Sequence, residues 1–189
     1  MRITREELLD ILDYERETGV FTWRHSSSSA KAGEVAGKVY TNGYRYIAVA
    51  GTYYPAALLA WIWVTGEDPG GIIDHINRVR ADDSFDNLRP ATNSQNHANR
   101  PPPKHNTSGF KGVFWSSQKN KWQAKLMVDG VQKHVGFYDR LVDAVKAHRQ
   151  AAIDTWGEFA LVPTDEEIEE LLKPSEDPIL VVDERDLPI

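Results

Sequence analysis

Asp74 and His75 stand side by side, Asn87 follows twelve residues after His75, and Asn96 nine residues after that. The carboxylate of Asp74 and the amide oxygen of Asn96 are hard donors of the kind Mg²⁺ prefers. An imidazole beside such a cation can take a proton from water at neutral pH. Together these groups are equipment for metal-assisted phosphodiester hydrolysis.

The elements that must position them can be read from the flanks. Ile72 and Ile73 predict a short β-strand, and Leu88 and Arg89 its return. An acidic loop (Asp82, Asp83) and the turn at Asp86 and Asn87 lie between the two strands. Thr92 and Ser94 are helix N-cap candidates, which puts Asn96 in the first turn of a short helix. Strand, loop, strand and helix then bring Asp74, His75 and Asn96 to one site.

This order resembles the HNH endonucleases, whose ββα-metal motif reads Asp-His, Asn, Asn/His. The flanks are similar to phage-type members: residues 14–24 (YERETGVFTWR), Gly43-Tyr44, Ala60-Trp61, Thr65-Gly66 and residues 73–77 (IDHIN). The resemblance implies that His75 is the general base and that Asp74 and Asn96 hold one Mg²⁺ or Mn²⁺. His97, next along, is the less favoured ligand. Asn87 would fix the loop and the orientation of His75. The chain departs from the phage-type pattern at three places. Ala57 and Leu58 stand where His-Arg is common, Arg78 where a turn glycine is expected, and Asp83 where asparagine is common. Asp83 would add negative charge where DNA approaches.

With 189 residues there is room for one ordinary domain or two small ones. No cysteine is present, which excludes disulfides and a structural zinc ribbon and fits a reducing cytosol. No apolar run is long enough to span a bilayer, and Glu6, Glu7 and Asp10 are foreign to a signal peptide. A cytoplasmic protein follows, in the bacterial host cytosol if a phage encodes it. The net charge of −6 is unevenly spread. Residues 1–100 carry 11 Lys/Arg against 13 Asp/Glu, residues 101–162 carry 9 against 5, and residues 163–189 carry 2 against 10. A basic segment thus precedes an acidic tail.

Along the chain, Thr4 and Glu7 form a capping-box pattern before Leu8, Leu9, Ile11 and Leu12. Residues 20–23 read as a strand, 40–54 as a hairpin around Gly51-Thr52, and 56–64 as a buried helix. Trp61 and Trp63 read as core. Pro101, Pro102, Pro103 and Lys104 predict a stiff linker and a domain boundary. Beyond it, residues 112–115, 121–128 and 131–138 predict three strands, with a tight turn at Asp129-Gly130. Leu141, Ala144, Val145, His148, Ala152 and Trp156 recur at helical spacing.

That segment, residues 105–162, resembles the APETALA/ethylene-response-factor type of DNA-binding domain through Ser108 to Val113 (SGFKGV), Lys121 to Ala124 (KWQA), Val135-Gly136-Phe137 and Gly157 to Ala160 (GEFA). The resemblance implies that an exposed sheet face meets double-stranded DNA. Strand alternation turns Trp122, Ala124 and Leu126 inward and leaves Gln123, Lys125 and Met127 outward. Phe114, Ser116, Gln132 and His134 share the outward face by the same register. The plant domains carry more arginine there, so Lys111, Lys119, Lys121 and Lys133 are expected to supply phosphate contacts.

The sequence therefore predicts an α+β chain. A ββα-metal HNH module with an N-terminal helix and hairpins (1–100) is joined by a linker (101–104) to a three-stranded antiparallel sheet backed by one helix (105–162). An acidic tail (163–189) follows, with a short helix presenting Ile168, Leu171 and Leu172 and a strand-like stretch at 178–182; the tail would dock on the basic surface or a protein partner, or serve as a disordered, solubilising segment. The resemblance implies a metal-dependent DNA endonuclease like the free-standing homing endonucleases of phages. A second reading is an HNH scaffold that binds DNA, or inhibits or regulates, without cutting.

Overall fold

Local sequence signals set the boundaries of the first core. In the computed structural model, which describes residues 3–28 and 30–173, α1 (Arg5–Ile11) begins at a reciprocal capping box: Thr4 Oγ1 accepts from Glu7 N at 3.2 Å and Glu7 Oε2 from Thr4 N at 2.7 Å. The helix stops at Ile11, so the expected helical face is divided. Leu8 packs from the helix and Leu12 from the first residue of β1 (Leu12–Glu15), which pairs with β2 (Val20–Trp23). A second sheet joins β3 (Lys38–Val39), β4 (Arg45–Val49) and β5 (Thr52–Pro55). Its hairpin turns at Ala50 and Gly51, with φ of 48° and 79°, the mirror-image geometry that suits strand twist.

α2 (Ala56–Thr65) carries no charge, is packed on most sides, and ends on Gly66 at φ 77°. Leu59 of the helix and Leu8, Leu12, Phe21 and Ile47 around it are fully buried. Trp61 stacks on Phe85 with ring centroids 5.4 Å apart, and Trp63 packs on the same core. On this support rest β6 (Ile72–His75), a 3-10 turn at Phe85–Asn87, β7 (Leu88–Ala91) and α3 (Asn93–Ala98), capped by Thr92 and Gln95.

The second sheet-and-helix unit has the predicted strands: β8 (Val113–Ser116), β9 (Lys121–Val128) and β10 (Val131–Tyr138), in antiparallel order β10-β9-β8. α4 (Leu141–Trp156) covers one side, burying Val113, Ala124, Val142, Ala144 and Val145. Cross-strand pairs put Phe114 with Gln123, Ser116 with Lys121, Lys125 with His134 and Met127 with Gln132, which sets all eight on the side away from α4. A bulge between His134 and Gly136 shifts the register and brings Phe137 onto that face, opposite Gln123. Lys133 pairs with the buried Leu126 and so belongs to the other side of the sheet.

One boundary differs from expectation. The second core does not end at Val162: α5 (Asp165–Glu170) packs Ile168 into it, with Leu171 against it and Asp165 paired to Arg149. Those apolar residues cannot also anchor the helix on the opposite sheet face. The strand-like stretch at 178–182 and the rest of the tail, 174–189, lie outside the described residues. Residues 101–104 connect two units that are in direct contact. Lys111 Nζ donates to the carbonyls of His97, Ala98 and Arg100 at 2.5, 2.8 and 2.8 Å. Leu161 N donates to Ala98 O at 3.2 Å and Trp156 Nε1 to Ser94 Oγ at 3.1 Å. Lys111 is therefore a clasp on the end of α3, replacing the phosphate contact expected of it. Among the described residues no helix is long and apolar enough to cross a membrane.

His148 makes the second unit sensitive to acid. Its ring is buried beneath Gly112, where a Cβ would lie 2.2 Å from Nε2. Burial pushes its pKa down to about 4, and the Lys111 charge acts in the same direction. The unfolded chain, with an ordinary imidazole, takes up this proton first. The stability contribution is thus complete above about pH 6.5 and is lost as pH falls toward 4, on the order of 3 kcal/mol in full. Urea unfolding should show a loss of about 2 kcal/mol between pH 7.5 and pH 5. His148→Leu should flatten that dependence; an unchanged pH slope in the variant would assign it to another group.

Candidate functional site

Asp74 and Arg89 are directly opposed in the β6–β7 pair, and the register explains their contact. Arg89 Nε and Nη2 each lie 3.0 Å from Asp74 Oδ2. The guanidinium is held from behind by the second unit: Nη1 donates to Glu158 O at 3.1 Å, and the Phe159 ring centroid lies 3.9 Å away. Asn99 Nδ2 donates to both Asp74 oxygens, at 3.2 and 3.1 Å, and to His75 O at 2.9 Å. Asp74 and His75 are each 4% exposed, so these bonds replace most of their hydration.

The loop after β6 is closed by amides. Asn87 Oδ1 accepts from Asn77 N at 2.9 Å, and Asn87 Nδ2 donates to Asp82 O at 2.8 Å. Asn77 Nδ2 donates to Asp82 Oδ2 at 2.6 Å, and Ser84 donates to Asp82 Oδ1. The Ser84 hydroxyl, with other donors, holds the Asp82 carboxyl below its ordinary pKa. Arg78 occupies the turn at φ 65°, a conformation that costs a side chain on the order of 1 kcal/mol. The missing glycine has not changed the turn, and the Arg78 side chain faces the cleft.

Asp83, expected to repel DNA, is instead 2% exposed and lies beneath His75, with Oδ1 3.1 Å from His75 Nε2. Asn96 lines the same cleft as Asp74 and His75, a hollow of about 400 Å³ that Arg78, Arg80 and Arg100 also line. The Asn96 side chain makes no hydrogen bond among the described residues, which leaves its oxygen for a ligand. His97 faces a different hollow, with Lys111 and Trp156. Ala57 is buried, while Leu58 lines a hollow beside His75 and Asn96, so apolar surface stands where polar side chains are common in phage-type proteins.

Sequence reasoning thus named Asp74, His75, Asn87 and Asn96, which the fold brings together, and missed Arg89, Asn99 and the three rim arginines. Arg89 was legible as the residue opposite Asp74, and Asn99 as one helical turn beyond Asn96. The second candidate surface is the free sheet face. There Lys125 Nζ lies 4.8 Å over the Phe114 ring and Gln123 Nε2 is 3.3 Å from His134 Nδ1. Met127 and Phe137 are 54% and 38% exposed. Lys119 is exposed in the β8–β9 turn, and Lys121 pairs with Asp139 at 2.6 Å.

The chain is 33% identical over 102 residues to Protein 3.8 of Escherichia phage T7, an alignment covering 52% of this chain and 84% of that protein. It belongs to the family of that phage protein. Residues 54–98 match the family described as HNH endonuclease. That HNH domain contains α2, β6, β7 and α3, hence Asp74, His75, Asn87 and Asn96. Neither match carries the APETALA-type assignment of residues 105–162, and no solved structure matches the chain.

Proposed function

We propose that this chain is a divalent-metal-dependent DNA endonuclease whose C-terminal sheet holds the duplex. The observation that supports this reading is the cleft, where a buried imidazole, a carboxylate and a free amide share one hollow rimmed by Arg78, Arg80 and Arg100. Guanidinium groups so placed suit a phosphodiester. His75 takes a proton from water as the water oxygen bonds to phosphorus. The ester P–O bond opposite breaks, and the leaving oxygen takes a proton from solvent.

The donor set fits a weakly held cation. Asp74 and Asn96 would hold one Mg²⁺ or Mn²⁺, with waters and phosphate oxygens completing its shell. Arg89 already shares the Asp74 charge, and no three His, Cys, Asp or Glu side chains converge among the described residues. The ion, when bound, stabilises charge on the phosphate and the leaving oxygen. Asn87 acts by closing the loop that carries His75. A supercoiled plasmid should be nicked or linearised with Mg²⁺ or Mn²⁺ and left intact with chelator. A plasmid that is bound but stays uncut would support the second reading, a non-cleaving DNA-binding or regulatory scaffold. The specific observation in favour of that reading is the engagement of both Asp74 oxygens by Arg89 and Asn99.

In the nuclease reading the sheet tethers a weakly selective site near preferred sequences, as homing endonucleases do. Phe114, Ser116, Gln123, Lys125, Met127, Gln132 and His134 face the groove, with Phe137 beside them. Lys119 and Lys121 reach phosphates. The sheet-plus-helix arrangement supports the APETALA-type resemblance. Lys125→Ala should weaken binding to all duplexes evenly and reduce the salt slope by about one, whereas Gln123→Ala should weaken the preferred sequence most. Anisotropy titrations at several salt concentrations, on full-length protein, would read this out. An unchanged slope in Lys125→Ala would remove that face from the backbone.

A further inference from the structure

We infer that Asp83 is a positioning residue that sets the tautomer and aim of His75, an inference resting on the nuclease reading above. The carboxylate is placed independently of the imidazole. Tyr14 Oη donates to Asp83 O at 2.7 Å, and the turn after β1 presses on the same peptide: a Cβ at Gly19 would lie 2.2 Å from the Asp83 carbonyl carbon. Asn87 and Ser84 anchor the neighbouring Asp82. The N-terminal hairpin, remote in sequence from the HNH domain, thus fixes where this carboxylate sits.

Its charge is left for the imidazole. Oδ1 is 3.1 Å from His75 Nε2, while Oδ2 accepts no hydrogen bond among the described residues and has Arg45 Nε only at 3.9 Å. A carboxylate can only accept, so Nε2 carries the hydrogen and Nδ1 is the ring's base. When Nδ1 takes the water proton, the imidazolium forms against a fixed negative charge, with no solvent to reorganise. Asparagine in this position offers an acceptor without the charge; alanine offers neither.

The test reads the ring directly. Long-range ¹⁵N correlation spectra of the imidazoles in full-length protein should show His75 as the Nε2–H tautomer. Asp83→Ala should give a mixture, and Asp83→Asn an intermediate pattern. In plasmid cleavage, Asp83→Ala should lose roughly 10- to 100-fold in kcat with KM little changed, and Asp83→Asn should recover part of it. If Asp83→Ala does not fold, the Asp83→Asn spectrum carries the test alone. An Nδ1–H tautomer in the wild type, or an unchanged tautomer in the variants, overturns the inference. A tautomer that shifts as expected in a protein that never cuts DNA upholds the pairing and removes the nuclease reading instead.

Discussion

Replacing His75 with alanine is expected to reduce plasmid cleavage by roughly 10²- to 10⁴-fold, the contribution of a positioned general base. The reason is local. No other group in the cleft pairs a basic ring nitrogen with a fixed acceptor: the guanidinium groups of Arg78, Arg80 and Arg100 only donate, Asn96 and Asn99 do not accept protons from water, and Asp74 is held by Arg89 and Asn99. The substitution leaves the buried Asp83 carboxylate without its imidazole, which should cost about 1–3 kcal/mol of stability. Single-turnover cleavage at a temperature where both proteins are folded, with DNA affinity measured alongside, separates the effects. Affinity should change little. His75→Ala cutting at the wild-type rate would move the base elsewhere and undo the roles assigned in the cleft.

Arg89→Met is expected to be the most destabilising single change at the site. Asp74 is 4% exposed and the Arg89 side chain 11%, so removal of the guanidinium strands a buried carboxylate on Asn99 alone. Breaking a buried pair from one side costs about 3–5 kcal/mol. For a chain of this size that lowers the midpoint of thermal unfolding by roughly 10 °C. The same substitution removes the cation over Phe159 and the bond to Glu158 O, so the contact between the two units should loosen. Asp74→Asn combined with Arg89→Met should recover much of the loss, because the charge is gone from both sides. A combined variant no more stable than Arg89→Met would show that packing on Phe159, rather than the ion pair, carries the effect.

Much of this arrangement was legible in the sequence because short-range rules govern it. The strands at 121–128 and 131–138 and the helix Leu141–Trp156 follow from alternation, a two-residue turn and helical periodicity. Asp74, His75, Asn87 and Asn96 are brought together by one strand–loop–strand–helix unit, again a local matter. What stayed hidden depends on three-dimensional neighbours. Asp83 reads as a solvated loop acid until Tyr14 and Gly19 are seen to fold over it. Lys111 reads as a phosphate ligand until the end of α3 is found against it. The bulge between His134 and Gly136 decides that Phe137 joins the free face, where strict alternation would turn it inward.

The grip of Lys111 on His97, Ala98 and Arg100, with the 157–159 turn against Arg89, bears on how such a protein can be recombined. A transplant of the sheet unit onto another HNH domain, cut at the proline run, would carry away the clasp of the helix that bears Asn96 and Asn99, along with the backing of Arg89. A replacement unit would have to bring an equivalent cation and an equivalent aromatic ring to those two points. Exchange of this half is therefore constrained at the residues where the two units touch, and chimaeras should be designed around that seam, not around the linker.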